Sequence, residues 1–174
     1  MSAIQDRMLR AAKLDTQLYE EVEADTTATG QAATVVVISS VAAGIGAIGY
    51  AGFSGIIVGT ITALISWLVW AYIIYLIGTK LLPEQQTSAD HGELLRTIGF
   101  ASSPGVIRVA GIIPFLSGIV NLAANIWMLI AMVIAVRQAL DYNSTGRAVG
   151  VCLIGWVIQL LLTFLIFRIF GIGY

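Results

Sequence analysis

The chain has 174 residues, of which 58% are hydrophobic and 11% are charged, whereas soluble proteins average about 45–50% and about 25%. This composition argues against a soluble enzyme and a disordered regulator, because the polar surface is too small to cover an apolar core. Nine basic and ten acidic side chains provide no broad positive field for a nucleic-acid partner, and one cysteine and one histidine predict neither a disulfide framework nor a histidine-rich metal site. We therefore expect a small integral membrane protein.

Residues 1–30 are polar and are predicted to form a cytoplasmic, amphipathic amino-terminal segment with two helices ahead of a membrane domain over residues 31–174. Asp15 is predicted to cap the second of these helices, and Asp25, with Thr26 and Thr27, to start the first membrane helix. One interpretation is a helix pair that lies flat on the inner membrane surface, with its basic residues on anionic headgroups. The other is a docking segment for a protein partner, which the acidic block from Asp15 to Asp25 favours. The candidate lipid or partner contacts are Arg7, Arg10, Lys13, Glu20, Glu21 and Glu23.

Four apolar runs are long enough to cross a hydrocarbon core about 30 Å thick. They are Ala32–Tyr50, Ile56–Leu82, Phe115–Val136 and Ala148–Phe170. A fifth run, Leu94–Ile113, is ambiguous because Arg96, Pro104 and Arg108 interrupt it. Asp90 and Glu93 nevertheless form a capping-box pattern that predicts a helix start just before it.

The distribution of charge decides the ambiguous case. With five spans, the amino-terminal segment and the loops around 80–96 and 137–147 share one side, which then holds seven of the nine basic residues and all ten acidic residues. The positive-inside rule therefore favours an all-α protein with five transmembrane helices, the amino terminus inside and Tyr174 outside. The outer connections, at 51–55 and near Pro114, are short and leave little chain to bind a partner there.

Polar side chains fall near the predicted midplane of the spans. They predict either interhelical hydrogen bonds or a midplane binding site of the kind found in transporters. Asn125 and Gln159 are predicted to be in contact on antiparallel helices. No ionisable side chain is predicted at this depth, which argues against a proton-coupled carrier. The candidate midplane cluster is Ser66, Ser102, Ser103, Asn121, Asn125 and Gln159.

Two further features concern contacts with lipid or with another helix. Arg108 and Arg168 are predicted near the outer ends of their helices, where their side chains would reach the headgroups or bind a lipid or an anion. Gly55, Gly59 and Ala63 form a small-residue stripe, which predicts close helix packing either within the chain or between two copies.

Three blocks of sequence resemble bacterial Ypt-interacting-protein (Yip) domain proteins, and their order and spacing fit over nearly the whole chain. The blocks are Leu14–Asp25 with Thr29–Ala32, Gly92–Pro104, and Ile126–Leu140 with Ser144–Ala148. The resemblance implies a five-helix membrane domain with a cytosolic amino terminus. In eukaryotes this family works in ER–Golgi vesicle traffic and associates with Rab-type GTPases and related family members. The short signature of the longer eukaryotic amino-terminal region is not found in this chain.

Together these features predict a non-enzymatic scaffold or adaptor that organises partners or lipids at the inner membrane face. No catalytic residue, cofactor or metal site is predicted, and the expected partners are the lipid bilayer and either a membrane protein or a second copy. The expected location is a bacterial plasma membrane, or an ER or Golgi membrane if the source is eukaryotic. A small transporter or channel, and an accessory subunit of a larger membrane complex, are the alternatives.

Overall fold

The fold is helical throughout the part of the chain that the structure describes. This computed structural model describes residues 3–170, apart from the side chains of residues 166, 167, 169 and 170. The helices are α1 (Ala3–Ala12), α2 (Thr16–Ala24), α3 (Thr29–Gly46), α4 (Ile48–Leu76), α5 (His91–Phe100), α6 (Ser117–Ala139) and α7 (Thr145–Phe170). A 3₁₀ turn at Thr26–Ala28 leads into α3, a π-helical segment at Ile77–Leu81 extends α4, and a 3₁₀ helix at Ser103–Ile112 follows α5. The all-α prediction is confirmed over residues 3–170.

Within that range, four helices are long and apolar enough to cross a membrane. They are Thr26–Gly46, Ile48–Leu81, Ser117–Ala139 and Thr145–Leu165. These four correspond to the four clear apolar runs in the sequence. The ambiguous run is not one long helix: α5 ends at Phe100, and Pro104 stands in the first turn of the 3₁₀ helix. Proline fits there because the first turn needs no amide donor.

Local sequence signals set several helix starts as predicted. The Asp15 carboxylate accepts a hydrogen bond from the Gln17 amide at the start of α2. Asp90 and Glu93 form both bonds of a capping box at the start of α5. A side-chain acceptor at this position satisfies amide groups that have no partner within the helix.

The bundle has two ends, which we name by their connections. The loop end holds α2, the α4–α5 loop (residues 82–90) and the α6–α7 loop (residues 140–144). The turn end holds the α3–α4 turn (residues 47–52) and the turn before α6 (residues 113–116). At the α3–α4 turn, Gly52 has φ +64°, a left-handed conformation that glycine adopts without steric cost.

Buried apolar side chains concentrate in the half of the bundle near the loop end. The largest fully buried ones include Leu18, Tyr19, Ile74, Ile77, Leu94, Ile98, Val136 and Leu140. Near the turn end, α4, α6 and α7 instead expose large apolar side chains, among them Phe53, Ile57, Leu122 and Leu160. Lipid tails are as apolar as leucine, so these exposed faces suit hydrocarbon.

The α5–3₁₀ segment runs beside α3 and in the same direction. Three close approaches mark this path in the same order along both: Gly99 at Ala32, Gly105 at Ser39, and Arg108 at Gly46. A Cβ atom at Gly46 would lie 2.0 Å from the Arg108 carbonyl oxygen. Glycine is therefore required for the backbones to approach this closely.

Candidate functional site

The two loops of the loop end are joined by hydrogen bonds. The Tyr142 hydroxyl donates to the Leu82 carbonyl at 2.7 Å, and the Thr87 hydroxyl donates to the Leu140 carbonyl at 3.1 Å. These side chains satisfy backbone carbonyls that lie beyond the ends of α4 and α6. The α4–α5 loop and the α6–α7 loop therefore form one surface.

Glu84 is the central acceptor of this surface. Its carboxylate accepts hydrogen bonds from the backbone amide of Asn143 at 3.2 Å and from the Asn143 side chain at 3.3 Å. It also forms an ion pair with Arg147 at 3.3 Å. The Asn143 amide, followed by the Arg147 side chain, lowers the pKa of Glu84 below its ordinary value. Glu84 is therefore ionised at neutral pH and joins the two loops electrostatically.

A polar cavity of about 510 Å³ lies between α2 and the two loops. Within it, Gln138 donates to a Glu20 carboxylate oxygen at 2.7 Å, and Arg137 Nε donates to the Tyr142 carbonyl at 3.1 Å. The cavity offers carboxylates, amides and one guanidinium, a set that suits a polar or charged group of a partner. Its lining is Glu20, Gln86, Arg137, Gln138, Asp141, Tyr142 and Asn143. Among the described residues, no cluster of three His, Cys, Asp or Glu side chains could hold a metal ion.

Most of the candidate contacts in the amino-terminal segment are bonded to one another or to the bundle. Arg7 pairs with Glu21 and Asp25, each at 2.9 Å. Arg10 pairs with Asp15 at 2.8 Å and with Glu21 at 2.6 Å. The hydrogen bond from Arg10 is the main cause that lowers the pKa of both Glu21 and Asp15. Arg7 and Arg10 are therefore already neutralised by carboxylates, while Lys13 stays exposed.

Arg96 attaches α2 to α5, a role that sequence reasoning missed. Its side chain is buried, with Nε donating to the Val22 carbonyl at 2.9 Å and a terminal nitrogen donating to the Glu23 carbonyl. A cation at the carboxyl end of a helix pairs with free carbonyls and with the negative end of the helix dipole. The one available signal was a basic residue within the otherwise apolar run of α5.

Glu23 is a partly buried carboxyl group in the same contact. Burial, with repulsion from Glu20, Glu93 and Asp141, raises the pKa of Glu23 to about 8, and Arg96 opposes the shift. One carboxyl oxygen, Oε2, is buried and has no hydrogen-bond partner among the described residues. Glu23 is therefore largely protonated at neutral pH.

The six candidate midplane residues do not form one cluster. Among the described residues, no hydrogen bond joins any two of them. The Ser103 hydroxyl donates to Phe100 at 2.7 Å, the Asn121 amide donates to Ser117 at 2.8 Å, Ser102 is partly buried and Ser66 is exposed. The predicted hydrogen bond between Asn125 and Gln159 is not formed: the Asn125 side-chain oxygen accepts from Arg108, and Gln159 Oε1 is buried with no partner in the described part of the chain.

The Arg108 backbone lies at the turn end beside Gly46, as the sequence predicted, but its side chain reaches inward to Asn125. Its partner Asn125 is eight residues from the start of α6 at Ser117, which is about 12 Å along a helix. An ionisable group therefore lies at the level of Asn125, contrary to the prediction that the midplane holds none. Sequence reasoning treated Arg108 as a helix-end residue because the turn at Pro114 follows so closely.

Two members of the small-residue stripe of α4, Gly55 and Gly59, do not pack closely against another helix of the described chain, whereas Ala63 packs against the buried core. A Cβ atom at Gly59 would have no neighbour within 4 Å, and one at Gly55 would meet only Ala51 of the same helix. The close intramolecular contacts instead involve Gly46, Gly99 and Gly105. The prediction of close packing between two copies is not tested by these contacts.

Residues 17–167 match the family model described as the Yip1 domain. The match begins in α2 and ends in α7, so it includes the loop-end surface, Arg96 and Arg108. Comparisons with curated proteins and with solved structures give no match.

Proposed function

We propose that this chain, which belongs to the Yip1 domain family, is a non-enzymatic scaffold or adaptor. Its long apolar helices make it a membrane protein. Its partner binds at the loop end. The observation that carries this proposal is the joined polar surface of α2 and the two loops. Tyr142, Thr87 and Glu84 hold this surface together, and the cavity of about 510 Å³ opens within it.

The proposal includes a five-span topology, with the α5–3₁₀ segment as the fifth crossing. The hydrogen bonds between the α4–α5 loop and the α6–α7 loop support it. Both loops lie at the loop end, and α6 runs from the turn end to the α6–α7 loop. The α5–3₁₀ segment, which connects the α4–α5 loop to α6, therefore has to run from the loop end to the turn end. Ten α-helical and ten 3₁₀ residues extend about 35 Å, which is enough for a core of about 30 Å.

The proposed orientation has the loop end inside a bacterial plasma membrane. Seven of the nine basic residues support this, because they belong to the amino-terminal segment, α5 and the loop-end helix termini. A reporter fused after Tyr174, which lies outside the described residues, should be found on the outer side. A cytoplasmic reporter would mean an even number of spans and would contradict the topology. If the source is eukaryotic, the same orientation applies to an ER or Golgi membrane.

The scaffold is favoured over the transporter alternative by the scattered midplane polar groups. A transporter needs convergent polar groups at mid-depth. Here the hydrogen bonds of Ser103 and Asn121 go to backbone carbonyls of their own helical turns, and Ser66 is exposed on α4. An accessory subunit of a larger complex would use the same loop-end surface as an adaptor and is a variant of this proposal.

Co-purification in mild detergent tests the adaptor role. The acidic rim of the cavity, Glu20 and Asp141, suits a partner with a basic segment, so Asp141→Lys should release that partner. Asp6→Lys makes the same change of charge on an exposed residue of α1 that does not line the cavity. It should retain the partner in wild-type yield.

Two results would contradict the adaptor role. Equal partner yields from the Asp141→Lys and Asp6→Lys variants would remove the loop-end surface as the binding site. A chain that purifies alone and carries a solute flux in proteoliposomes would favour the transporter.

A further inference from the structure

The Arg108 guanidinium lies within the apolar part of the bundle without an acidic partner. One terminal nitrogen donates to Asn125 Oδ1, while Nε is buried and has no hydrogen-bond partner among the described residues. The acidic residues of the sequence fall within positions 6–25 and 84–93 or at 141, and none lies in the 3₁₀ helix of Arg108 or in α6. Among the described residues, no carboxylate forms an ion pair with Arg108.

The described part of the chain therefore leaves the charge of Arg108 without a counter-charge. A guanidinium has five donors and stays protonated in proteins, and the neutral amide of Asn125 satisfies one donor without removing charge. Ionisable groups at membrane depth are costly, so they pair with one another, face water or mark a binding site. The missing partner is an anion that accepts several hydrogen bonds.

A polar strip on α6 connects Arg108 to the turn end. Ser117, Asn121 and Asn125 lie on one face of the helix, because they are four residues apart. Asn121 and Ser117 are partly exposed, and Asn125 is exposed. Next to the strip on one side, α6 exposes apolar side chains, including Ile119, Leu122 and Ile126.

We propose that Arg108 and the Ser117–Asn125 strip bind the phosphate of an anionic phospholipid from the leaflet at the turn end. The acyl chains of that lipid lie along the exposed apolar side chains of α6. Guanidinium and phosphate match in charge and in geometry, since both can form two parallel hydrogen bonds. A lipid fits better than a protein partner because the strip borders an apolar face suited to hydrocarbon and the turns at this end are short. The inference rests on the membrane location of the chain and not on the adaptor role.

Native mass spectrometry of the delipidated full-length protein measures this binding directly. The protein is titrated with phosphatidylglycerol, with phosphatidylcholine and with inorganic phosphate. Wild-type protein should bind phosphatidylglycerol more tightly than phosphatidylcholine. Inorganic phosphate at the same concentrations should neither bind nor compete, because it lacks the acyl chains. Competition by inorganic phosphate, or equal binding of the two lipids, would overturn the assignment of an anionic lipid.

Arg108→Gln should weaken phosphatidylglycerol binding roughly tenfold or more, as expected for the loss of a charge-assisted contact. Arg168→Gln removes the same charge from an exposed position near the end of α7 and should bind like wild type. Equal binding by wild type and Arg108→Gln would overturn the proposal. So would a wild-type dimer that the Arg108→Gln substitution converts to a monomer, because Arg108 would then pair with a carboxylate of another chain.

Asn125→Asp provides a second test that keeps Arg108 in place. The new carboxylate would lie where the amide oxygen already accepts from the guanidinium, so it should neutralise Arg108 within the chain. Phosphatidylglycerol binding should fall about as far as in Arg108→Gln, while the melting temperature is kept or raised. Undiminished lipid binding by Asn125→Asp would contradict the role of Arg108 charge, even if Arg108→Gln fails to fold.

Discussion

The loop end and the turn end of the bundle are stabilised by different interactions. Towards the loop end, side chains from all seven α-helices meet in an apolar core, and α2 is attached by Arg96 and by the bond between Glu20 and Gln138. At the turn end, Phe53 and Phe115 are 71% and 81% exposed, and helices meet through close backbone approaches such as Gly46 at Arg108. The loop end therefore holds its own core, whereas the turn end depends on surrounding hydrocarbon for its apolar faces.

The difference also separates the proposed roles of the two ends. A polar surface with fixed side chains suits recognition of a protein partner, because little conformational entropy is lost on binding. Apolar faces interrupted by a single uncompensated cation suit recognition of lipid. Substitutions that affect one end and leave the other unchanged can test this separation.

The largest effect is expected at Arg96, where Arg96→Met removes the attachment of α2. The substitution deletes two hydrogen bonds from a charged donor to the Val22 and Glu23 carbonyls, each worth about 1.5–3 kcal/mol. We expect the free energy of unfolding in detergent to fall by roughly 3 kcal/mol or more. Arg147→Met, which removes an exposed ion pair with Glu84, should cost about 0–1 kcal/mol. Similar losses in the two variants would contradict a special role for Arg96.

At the turn end, Gly46→Ala tests the close approach of α3 and the 3₁₀ helix. The added methyl group would lie 2.0 Å from a backbone oxygen, which cannot move aside as a flexible side chain would. Thermal melting should show a loss of about 1–3 kcal/mol, the usual cost of overpacking. Gly49→Ala, where the methyl group meets nothing within 4 Å, should leave stability unchanged or slightly raised. A neutral Gly46→Ala would mean that the turn end is loosely packed.

Glu23→Gln should remove a pH dependence that belongs to the loop end. The pKa of Glu23 is raised to about 8 in the folded state from an ordinary value of 4.5, so folding favours its protonated form. The stability that this group contributes is complete below pH 4.5 and is lost as the pH rises towards 8. Glu23→Gln should therefore raise the melting temperature more at pH 8 than at pH 5.

A matched variant on the same helix is Glu20→Gln, which keeps an oxygen to accept from Gln138. Its melting temperatures at the two pH values should follow wild type far more closely than those of Glu23→Gln. Parallel pH profiles for wild type and Glu23→Gln would show that Glu23 is not the titrating group. Glu21 and Asp15, whose pKa values are lowered, act in a separate window below the ordinary carboxyl range.

The smallest effects are expected at Asn125 and Gln159 in the membrane-embedded part. Asn125→Leu should cost about 0.6 kcal/mol, the average for a polar contact in a membrane, with an upper range near 1.7 kcal/mol. Gln159→Leu should be nearly neutral, because among the described residues its buried Oε1 has no hydrogen-bond partner to lose. Because Asn125 bonds with Arg108 and not with Gln159, the losses in the double variant should add. A double variant that loses less than the sum of the singles, in thermal melting, would restore the contact between the two residues.

Local patterns in the sequence predicted the four clear spans and the caps at Asp15, Asp25 and Asp90. The caps depend on interactions within a few residues, such as the hydrogen bond from the Thr27 amide to the Asp25 carboxylate. Apolar length is likewise a local property and predicts a span without knowledge of its neighbours.

The roles of Arg96 and Arg108 were not predictable in this way. Both are basic residues in one apolar run, yet one bonds with carbonyls more than 70 residues away in sequence and the other with an amide 17 residues away. Which glycines pack closely is also decided by tertiary contacts, since Gly46 meets a backbone and Gly59 meets nothing. Hydropathy and spacing carry no information about such partners.

The crossing of the α5–3₁₀ segment between the two ends is tested most directly by cysteine labelling in sealed membranes. In a Cys152→Ala background, Gln86→Cys in the α4–α5 loop and Phe115→Cys in the turn before α6 are treated with an impermeant maleimide. Ser144→Cys, in the α6–α7 loop, serves as a control and should react from the same side as Gln86→Cys. The five-span account predicts that Phe115→Cys reacts only from the opposite side. Reaction of Phe115→Cys from the same side as Gln86→Cys would contradict it.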